Sequence, residues 1–198
     1  MVIGVTGNIG CGKTTVAQMF GALGAEIIEA DRIGHLLLKK DGVRERIIQT
    51  FGKSILDEED GEISREKLRK MVFRDKKKLK QLNLILHPLM GEEIKRRIQS
   101  SNSSLIILDA AVLFEAGWNL LVDKVLVVTA SYNIRLRRIR ESTNLSFEEI
   151  KGVMEAQLPQ EEKIQRADFV IENEGDLGKL RDEVKKLWKR VSYGDKFG

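Results

Sequence analysis

Short runs of apolar residues alternate with segments of helical periodicity along this chain. The runs at 105–108 and 125–128 are continuously hydrophobic, which is typical of strands covered on both faces of a parallel sheet. Because helical patterns fill the gaps, the alternation predicts an α/β fold with three layers, in which helices cover both faces of a five-stranded parallel sheet. The predicted strands lie at 2–6, 26–29, 104–109, 124–129 and 168–172.

The segment after the first predicted strand, residues 7–14, reads GNIGCGKT, a complete G-x-x-x-x-G-K-[ST] motif of a P-loop. In such a loop, backbone N–H groups and the N-terminus of the next helix surround a polyphosphate. Lys13 is expected to reach the β- and γ-phosphates of ATP, and the Thr14 hydroxyl is expected to bind Mg²⁺. The predicted nucleotide-binding residues of the loop are Asn8, Gly10, Cys11, Gly12, Lys13, Thr14 and Thr15.

Two acidic residues follow other predicted strands, Asp31 after the second strand and Asp109 at the end of the third. Because the carboxyl ends of parallel strands meet at one edge of a sheet, we expect both near the P-loop. Carboxylates beside a triphosphate can bind the water shell of Mg²⁺ or accept the proton of an attacking hydroxyl. Either residue could instead be only a helix cap.

The stretch between the second and third strands, about 32–102, is a long insertion with mostly helical patterns. Ser64 predicts the N-cap of a helix that runs through Phe73. His87-Pro88 is predicted to end the next helix, because the residue before a proline disfavours the α region. An insertion of this length commonly holds the second substrate. His87 is a candidate base or substrate ligand there, or a histidine with only a structural role.

Arginines are concentrated directly after the fourth strand, where 135–140 contain four of them. Ser146 and Glu149 form a capping-box pattern that starts the next helix. Helices with arginines at this place predict a lid, about 135–166, that covers the triphosphate and excludes water. The other interpretation is a solvated basic helix face. The predicted core comprises 1–31, 103–134 and 167–191, and its last helix packs Leu177, Leu180, Val184 and Leu187 inward.

The composition, with 42% hydrophobic and 32% charged residues among 198, is that of a soluble globular protein. None of the apolar runs approaches the length of a membrane span, and we expect no membrane association and no signal peptide. The one cysteine, Cys11, excludes an internal disulfide, which fits the cytoplasm. The net charge is +4 with a basic run at 65–80, but aromatic residues make up only 6%, so nucleic-acid binding is less favoured.

Several motifs downstream of the P-loop follow the order found in the dephospho-coenzyme A kinase family, and the chain resembles this family from about residue 2 to residue 190. The P-loop alone would fit adenylate, shikimate and cytidylate kinases equally well. The resemblance implies that ATP phosphorylates the ribose 3′-hydroxyl of dephospho-coenzyme A, giving coenzyme A and ADP, in a monomeric cytoplasmic enzyme. The motifs are Phe51-Gly52, Asp60-Gly61 with Arg65-x-x-Leu68, Val72-Phe73, His87-Pro88, Leu113-Phe114-Glu115, Gln157, Ala167-Asp168-x-Val170-Ile171-x-Asn173 and Gly175.

The resemblance also implies roles for single residues. Asp31 falls at the family's acidic residue that orients or deprotonates the 3′-hydroxyl, and Asn173 falls in the loop that contacts adenine. The family's usual Asp-Ala-Asp is Glu29-Ala30-Asp31 here, so the second carboxylate is retained. Arg65 and His87 fall where the family binds its acceptor. The predicted substrate-binding set is Asp31, Arg65, His87, Asp109 and Glu115.

The lid arginine has two candidates. The family places two arginines four residues apart, and alignment back from Ser146 without a gap puts these positions at Arg138 and Ser142, whereas a gap selects Arg140. We assign Arg140 as the catalytic lid arginine, together with Lys13 as a catalytic residue, and Arg138 as a nucleotide-binding residue.

Two other classes of function stay open on the sequence alone. A nucleoside monophosphate kinase would phosphorylate a phosphate and would need no base at Asp31. A non-catalytic nucleotide-binding protein could dock RNA through 65–80, and its RNA binding would depend steeply on salt.

Overall fold

The computed structural model describes residues 1–143 and 145–193. Within them, five parallel strands form a sheet in the order β2-β3-β1-β4-β5. The predicted α/β class and all five predicted strands are therefore confirmed, with ends that differ by at most two residues. The strands are β1 (Val2–Thr6), β2 (Glu26–Glu29), β3 (Ile106–Asp109), β4 (Lys124–Thr129) and β5 (Phe169–Glu172).

Helices fill the segments between the strands and cover both faces of the sheet. Short 3₁₀ turns lie at Lys53–Ile55 and Trp118–Leu121. Among the described helices, none combines the length and the apolar character that crossing a bilayer would need. The α-helices are α1 (Lys13–Ala22), α2 (Ala30–Leu37), α3 (Asp41–Phe51), α4 (Arg65–Phe73), α5 (Lys76–Ser100), α6 (Tyr132–Ser142), α7 (Phe147–Ala156), α8 (Gln160–Gln165) and α9 (Leu177–Tyr193).

Strand β3 shows why the apolar runs are continuous. Ile107 and Leu108 are both fully buried, although successive strand residues point to opposite faces of a sheet. Ile107 belongs to a core with Phe20 of α1 and Val184 of α9, whereas Leu108 belongs to a second core with Ile33 of α2. Because both faces are covered, neither face of the strand can be polar.

The strand register places the ends of β1, β2 and β3 at the same level. Asp109 of β3 is the register partner of Val5 on one side and of Glu29 on the other. The P-loop begins two residues after Val5, and Asp31 lies two residues after Glu29. The carboxyl edge of the sheet therefore brings the P-loop, Asp31 and Asp109 together, as the order of the strands predicts.

The predicted end of a helix at His87-Pro88 is wrong, because α5 is continuous from Lys76 to Ser100 with Pro88 inside it. Proline has no N–H to donate to the carbonyl four residues earlier, that of Leu84, and this costs helix stability. Leu84 is 64% exposed, so the proline lies on the side of α5 that faces water. Apolar residues on both sides of the proline, such as Ile85 and Ile94, are buried in the core, and this packing overrides the local preference.

Pro88→Ala is expected to raise the free energy of unfolding by about 1–2 kcal/mol, since alanine restores the helical N–H. Proline also stabilises the protein by restricting the unfolded chain, but this effect is smaller than its unfavourable helix propensity. Urea unfolding measures the change. The other proline, Pro159, precedes α8 at its N-cap, where no helical N–H is needed, so Pro159→Ala is expected to be neutral or slightly destabilising. A loss of stability in Pro88→Ala would contradict the prediction.

Candidate active site

The P-loop connects β1 to α1 and packs closely against neighbouring segments. Gly10 and Gly12 have φ angles of 81° and 88°, in the left-handed region that glycine adopts without strain. A Cβ on Gly12 would also collide with the side-chain amide of Asn173. Gly12 is the N-cap of α1, and the first N–H groups of that helix, which have no acceptor within it, are available to an anion.

Arg138 and Asn173 donate hydrogen bonds to backbone carbonyls of the P-loop. The Arg138 guanidinium donates to the carbonyls of Gly10 at 3.3 Å and Cys11 at 3.4 Å, and also to the backbone and side-chain oxygens of Asn173, both at 3.1 Å. The Asn173 amide donates to the Cys11 carbonyl at 2.8 Å. Two residues predicted to bind the nucleotide therefore also fix the shape of the loop that binds it.

The segment between α7 and α8 holds the loop from a second side. The Gln157 side-chain oxygen accepts a hydrogen bond from the Ile9 N–H at 2.9 Å, and the Asn8 amide donates to the Leu158 carbonyl at 3.0 Å. The α6–α8 part of the chain is thus joined to the P-loop by hydrogen bonds from α6 and from the connection between α7 and α8.

Lys13 forms an ion pair with Asp109, with 2.6 Å between the amine and a carboxylate oxygen. Burial opposes the charged amine, but the charge and the hydrogen bond of Asp109, followed by the charge of Asp31, outweigh it and raise the pKa of Lys13. Both partners are largely buried, at 12% and 5% exposed. Lys13 therefore stays a cation at the carboxyl edge of the sheet.

A second buried ion pair joins Glu115 to Lys163, a lysine that is fully buried. The Lys163 amine lies 2.9 Å from a Glu115 carboxylate oxygen and donates to the Ala111 carbonyl, also at 2.9 Å. The same Glu115 oxygen accepts a hydrogen bond from the Leu158 N–H. The other Glu115 oxygen is buried and has no hydrogen-bond partner among the described residues. Sequence reasoning missed Lys163, because it lies in the charged run QEEKIQR, which has the pattern of a solvated helix face.

Lys163→Met is expected to lower the free energy of unfolding by about 3 kcal/mol, since the carboxylate of Glu115, 14% exposed, would lose its cation in a largely buried place. Urea unfolding of the variant and the parent measures this. Adding Glu115→Gln to the variant removes the unpaired charge and should recover part of the loss. Equal stability of Lys163→Met and the parent would count against the ion pair as a stabilising contact.

The part of the site that is predicted to bind the acceptor is built by α2 and α5. Asp31 is exposed in the first turn of α2. The ring of His87 lies 5.4 Å from the ring of Trp118 in a T-shaped contact, and the indole N–H donates to the His87 carbonyl at 3.3 Å. Burial lowers the pKa of His87, and this effect outweighs the negative charge of Glu115, which acts to raise the pKa. The imidazole is therefore neutral at pH 7, and one of its ring nitrogens can accept a hydrogen bond.

A cavity of about 710 Å³ joins the P-loop to the acceptor side. Asp109 does not line it directly but contacts Lys13, which does. The wall also includes apolar residues of the insertion, such as Leu79, Leu86 and Met90, whose helical spacing does not distinguish a cavity-facing from a core-facing position. The predicted site residues that line the cavity are Asn8, Gly10, Cys11, Gly12, Lys13, Thr14, Thr15, Asp31, His87, Glu115, Arg138 and Asn173.

Three predicted residues have other positions. Arg140 is exposed on α6 and does not line the cavity. Arg65 is exposed at the start of α4, near His35, where its charge adds to the effect of burial in lowering the pKa of that imidazole.

Leu177, predicted to pack in the core, is 59% exposed and lies at the cavity beside Asn173. It begins α9, whereas Leu180, one turn further on, is buried as predicted.

Comparisons with known proteins agree with this geometry. A family model described as dephospho-CoA kinase matches residues 1–179. The chain is 42% identical over 193 residues to a dephospho-CoA kinase of Aquifex aeolicus, covering 96% of this chain and 97% of the relative. It is 38% identical over 191 residues to one of Fusobacterium nucleatum, covering 96% and 98%. A solved dephospho-CoA kinase from Campylobacter jejuni superposes with a TM-score of 0.71 at 30% identity, covering 98% of each chain. This chain therefore belongs to the dephospho-CoA kinase family.

Proposed function

We propose that this chain transfers the γ-phosphoryl group of ATP to the ribose 3′-hydroxyl of dephospho-coenzyme A, giving coenzyme A and ADP. One observation carries the proposal: Lys13 of the P-loop, which follows β1, and Asp31, which follows β2, line the same cavity. A phosphate-binding cation and a carboxylate that line one cavity fit the transfer of a phosphoryl group to a hydroxyl. Membership of the dephospho-CoA kinase family supports dephospho-coenzyme A as the acceptor.

On the phosphate side, the chain binds and neutralises charge. The N–H groups at the start of α1 and the Lys13 amine hold the β- and γ-phosphates. Lys13 is kept charged by Asp109, so it offers a cation where negative charge develops on the transferred group. Asn173 and Leu177, which both line the cavity, are placed to contact adenine.

The residues fit a Mg²⁺ ion that arrives with ATP. Among the described residues, no cluster of three or more His, Cys, Asp or Glu could hold a metal by itself, whereas the hydroxyl-bearing Thr14 lines the cavity. Mg²⁺ commonly takes one or two protein ligands and completes its shell with water and phosphate oxygens. Thr14 would hold it, and the bound ion would supply positive charge at the phosphate oxygens.

On the acceptor side, Asp31 accepts the proton of the attacking hydroxyl as the new O–P bond forms. Asp31 is exposed and lines the cavity, so its carboxylate oxygens are open to the substrate hydroxyl. The neutral imidazole of His87 and the apolar wall formed by Leu86 and Met90 are placed to bind the adenosine of the acceptor.

We propose that residues 135–166 act as the lid and 32–102 as the acceptor-binding part. Both contribute to one cavity, through Arg138 and Gln157 on one side and His87 on the other. Arg138, whose guanidinium lies at the P-loop, is better placed than the exposed Arg140 to stabilise charge on the transferred phosphate.

The ion pairs of the basic run 65–80 favour a small-molecule enzyme over an RNA-binding protein. Four of its cations pair with carboxylates of the same chain, which leaves less charge for phosphates of a nucleic acid. On this ground and on the family resemblance, we propose a cytoplasmic monomer without a nucleic-acid partner. The pairs are Lys67–Glu58, Arg69–Glu149, Lys70–Glu66 and Lys76–Glu155.

The test is ADP release by the purified protein with MgATP, comparing dephospho-coenzyme A with AMP, CMP and shikimate. We expect release with dephospho-coenzyme A alone, and a product phosphorylated at the 3′ position by mass spectrometry. Release with AMP or CMP instead would identify a nucleoside monophosphate kinase, and steeply salt-dependent RNA binding without turnover would identify a non-catalytic protein.

A further inference from the structure

A second cavity, a groove of about 790 Å³, runs along α5 next to the active-site cavity. One wall is a face of α5 from Lys76 to Lys95, which spans about 28 Å at 1.5 Å per residue. The other wall is formed by residues 115–118, 120 and 121. The groove is continuous with the active site, because the two cavities share Leu79, Asn83, His87, Glu115 and Ala156.

We propose that this groove binds the diphosphate and the pantetheine arm of the acceptor, an assignment that rests on the function proposed above. The acceptor has two parts of different shape. The adenosine carries the reacting hydroxyl and fits the cavity beside Asp31, whereas the long arm needs an open channel that leaves this cavity. The arm passes His87 and lies along α5.

The distribution of charged residues along the groove fits an acceptor whose diphosphate lies near the active site and whose arm extends along α5. Lys76 and Lys80 lie in the half of the α5 wall whose residues Leu79, Asn83 and His87 also line the active-site cavity. The Lys80 amine has no ion-pair partner among the described residues, whereas Lys76 pairs with Glu155 at 3.2 Å. At the far end, Lys95 is balanced by Glu92 on the same wall. The positive end therefore adjoins the site where the diphosphate of a bound acceptor would emerge.

The middle of the groove is apolar and open to water. Leu84 on α5 is 64% exposed, and Leu120 on the opposite wall is 85% exposed. Large aliphatic side chains that face each other across a groove are stabilised when a ligand covers them. The dimethyl-substituted carbon chain of pantetheine, one turn of α5 beyond the diphosphate at Lys80, would do so.

Pro88 supplies a further feature of the same wall. Because it has no N–H, the carbonyl of Leu84 lacks its usual helical donor, and both residues line the groove. The pantetheine arm carries two amide N–H groups. One of them can donate to this carbonyl, and the proline inside α5 then has a binding role that explains its place in an otherwise regular helix.

The test compares two acceptors, dephospho-coenzyme A and adenosine 5′-diphosphate methyl ester, which has the same nucleotide but no pantetheine. The measured quantity is the arm preference, the ratio of kcat/KM for the first acceptor to kcat/KM for the second. Leu84→Ser and Leu120→Ser are each expected to lower the arm preference about tenfold through lost apolar contact. Pro88→Ala, which returns an N–H to the Leu84 carbonyl, is expected to lower it about fivefold while raising stability.

Lys80→Ala removes a contact to the diphosphate, which both acceptors contain. It is expected to lower kcat/KM about threefold for both acceptors and to leave the arm preference unchanged. Two matched controls lie outside the groove. Lys77→Ala changes an exposed lysine of the same helix, and Val170→Ser changes a residue of β5 that is 44% exposed. Neither should change the arm preference.

A direct binding measurement uses 4′-phosphopantetheine alone, by isothermal titration. Binding that is weakened in Leu84→Ser and Leu120→Ser but not in Val170→Ser supports the groove. Turnover of both acceptors with equal kcat/KM in the parent would overturn the assignment and leave the phosphoryl transfer intact. So would an arm preference that is unchanged in Leu84→Ser, Leu120→Ser and Pro88→Ala. Absence of ADP formation with either acceptor would overturn the proposed function itself, and with it the occupant assigned here.

Discussion

Asp31→Asn is expected to lower kcat about 10²- to 10⁴-fold while changing the affinity for ATP little. Removing a general base costs about this much, and asparagine keeps the size of the side chain but cannot accept the hydroxyl proton. Asp31 lines the cavity from the first turn of α2, outside the P-loop that is proposed to hold ATP, so nucleotide binding should be preserved. Initial rates at saturating MgATP and acceptor, with the Kd of ATP from titration, measure the two effects.

Glu29→Gln is the matched control for this substitution. Glu29 lies two residues earlier and is also exposed, but it does not line the cavity. The same loss of charge at Glu29 should therefore leave kcat within about twofold, the range expected for surface substitutions. A near-normal kcat in Asp31→Asn would remove Asp31 as the base, and an equal loss in both variants would point to a general effect of charge at this edge.

Lys13→Met is expected to lower kcat/KM by about 10³-fold or more, because the variant loses the cation that faces the developing charge on the phosphoryl group. It is also expected to lower the free energy of unfolding by about 3–5 kcal/mol. Asp109 is only 5% exposed and pairs with Lys13 at 2.6 Å, and breaking a buried pair leaves a carboxylate without its counterion. Steady-state kinetics and urea unfolding measure the two losses.

The two effects of Lys13→Met can be separated with a second substitution. Adding Asp109→Asn removes the unpaired carboxylate, so stability should largely return while kcat/KM stays low. If activity returned together with stability, Lys13 would act by holding the fold and not by stabilising charge in the reaction. Substantial activity in Lys13→Met itself would contradict the assignment of the P-loop as the phosphate-binding site.

The helix through Pro88 shows where local rules stop being sufficient. The proline pattern predicts an end at His87, since the propensity of this dipeptide opposes a helix. The packing of Ile85, Met90 and Ile94 into the core contributes more than the proline costs, and it depends on segments that are distant in sequence. Lys163 is a similar case, because its burial depends on Glu115, 48 residues earlier, and on the Ala111 carbonyl.

The lid arginines illustrate a different limit. Arg138 and Arg140 are the same residue type two positions apart on α6, and two positions correspond to about 200° around a helix. Only one of them can face the P-loop. Counting residues along the chain leaves both possible, whereas the hydrogen bonds from Arg138 to the carbonyls of Gly10 and Cys11 identify the one that does.

The sequence by itself determined the five strands, the P-loop and the family. A strand that is buried on both faces of a sheet requires a continuous run of apolar residues, and a phosphate-binding loop requires glycines and a lysine at fixed short spacings. Only the tertiary structure decided that α5 passes through Pro88, that Lys163 is buried against Glu115, and that Arg138 lies at the loop. The reason is that these features depend on contacts between segments far apart in the chain. The free energy of such contacts comes from the partner as much as from the residue, and no local pattern encodes it.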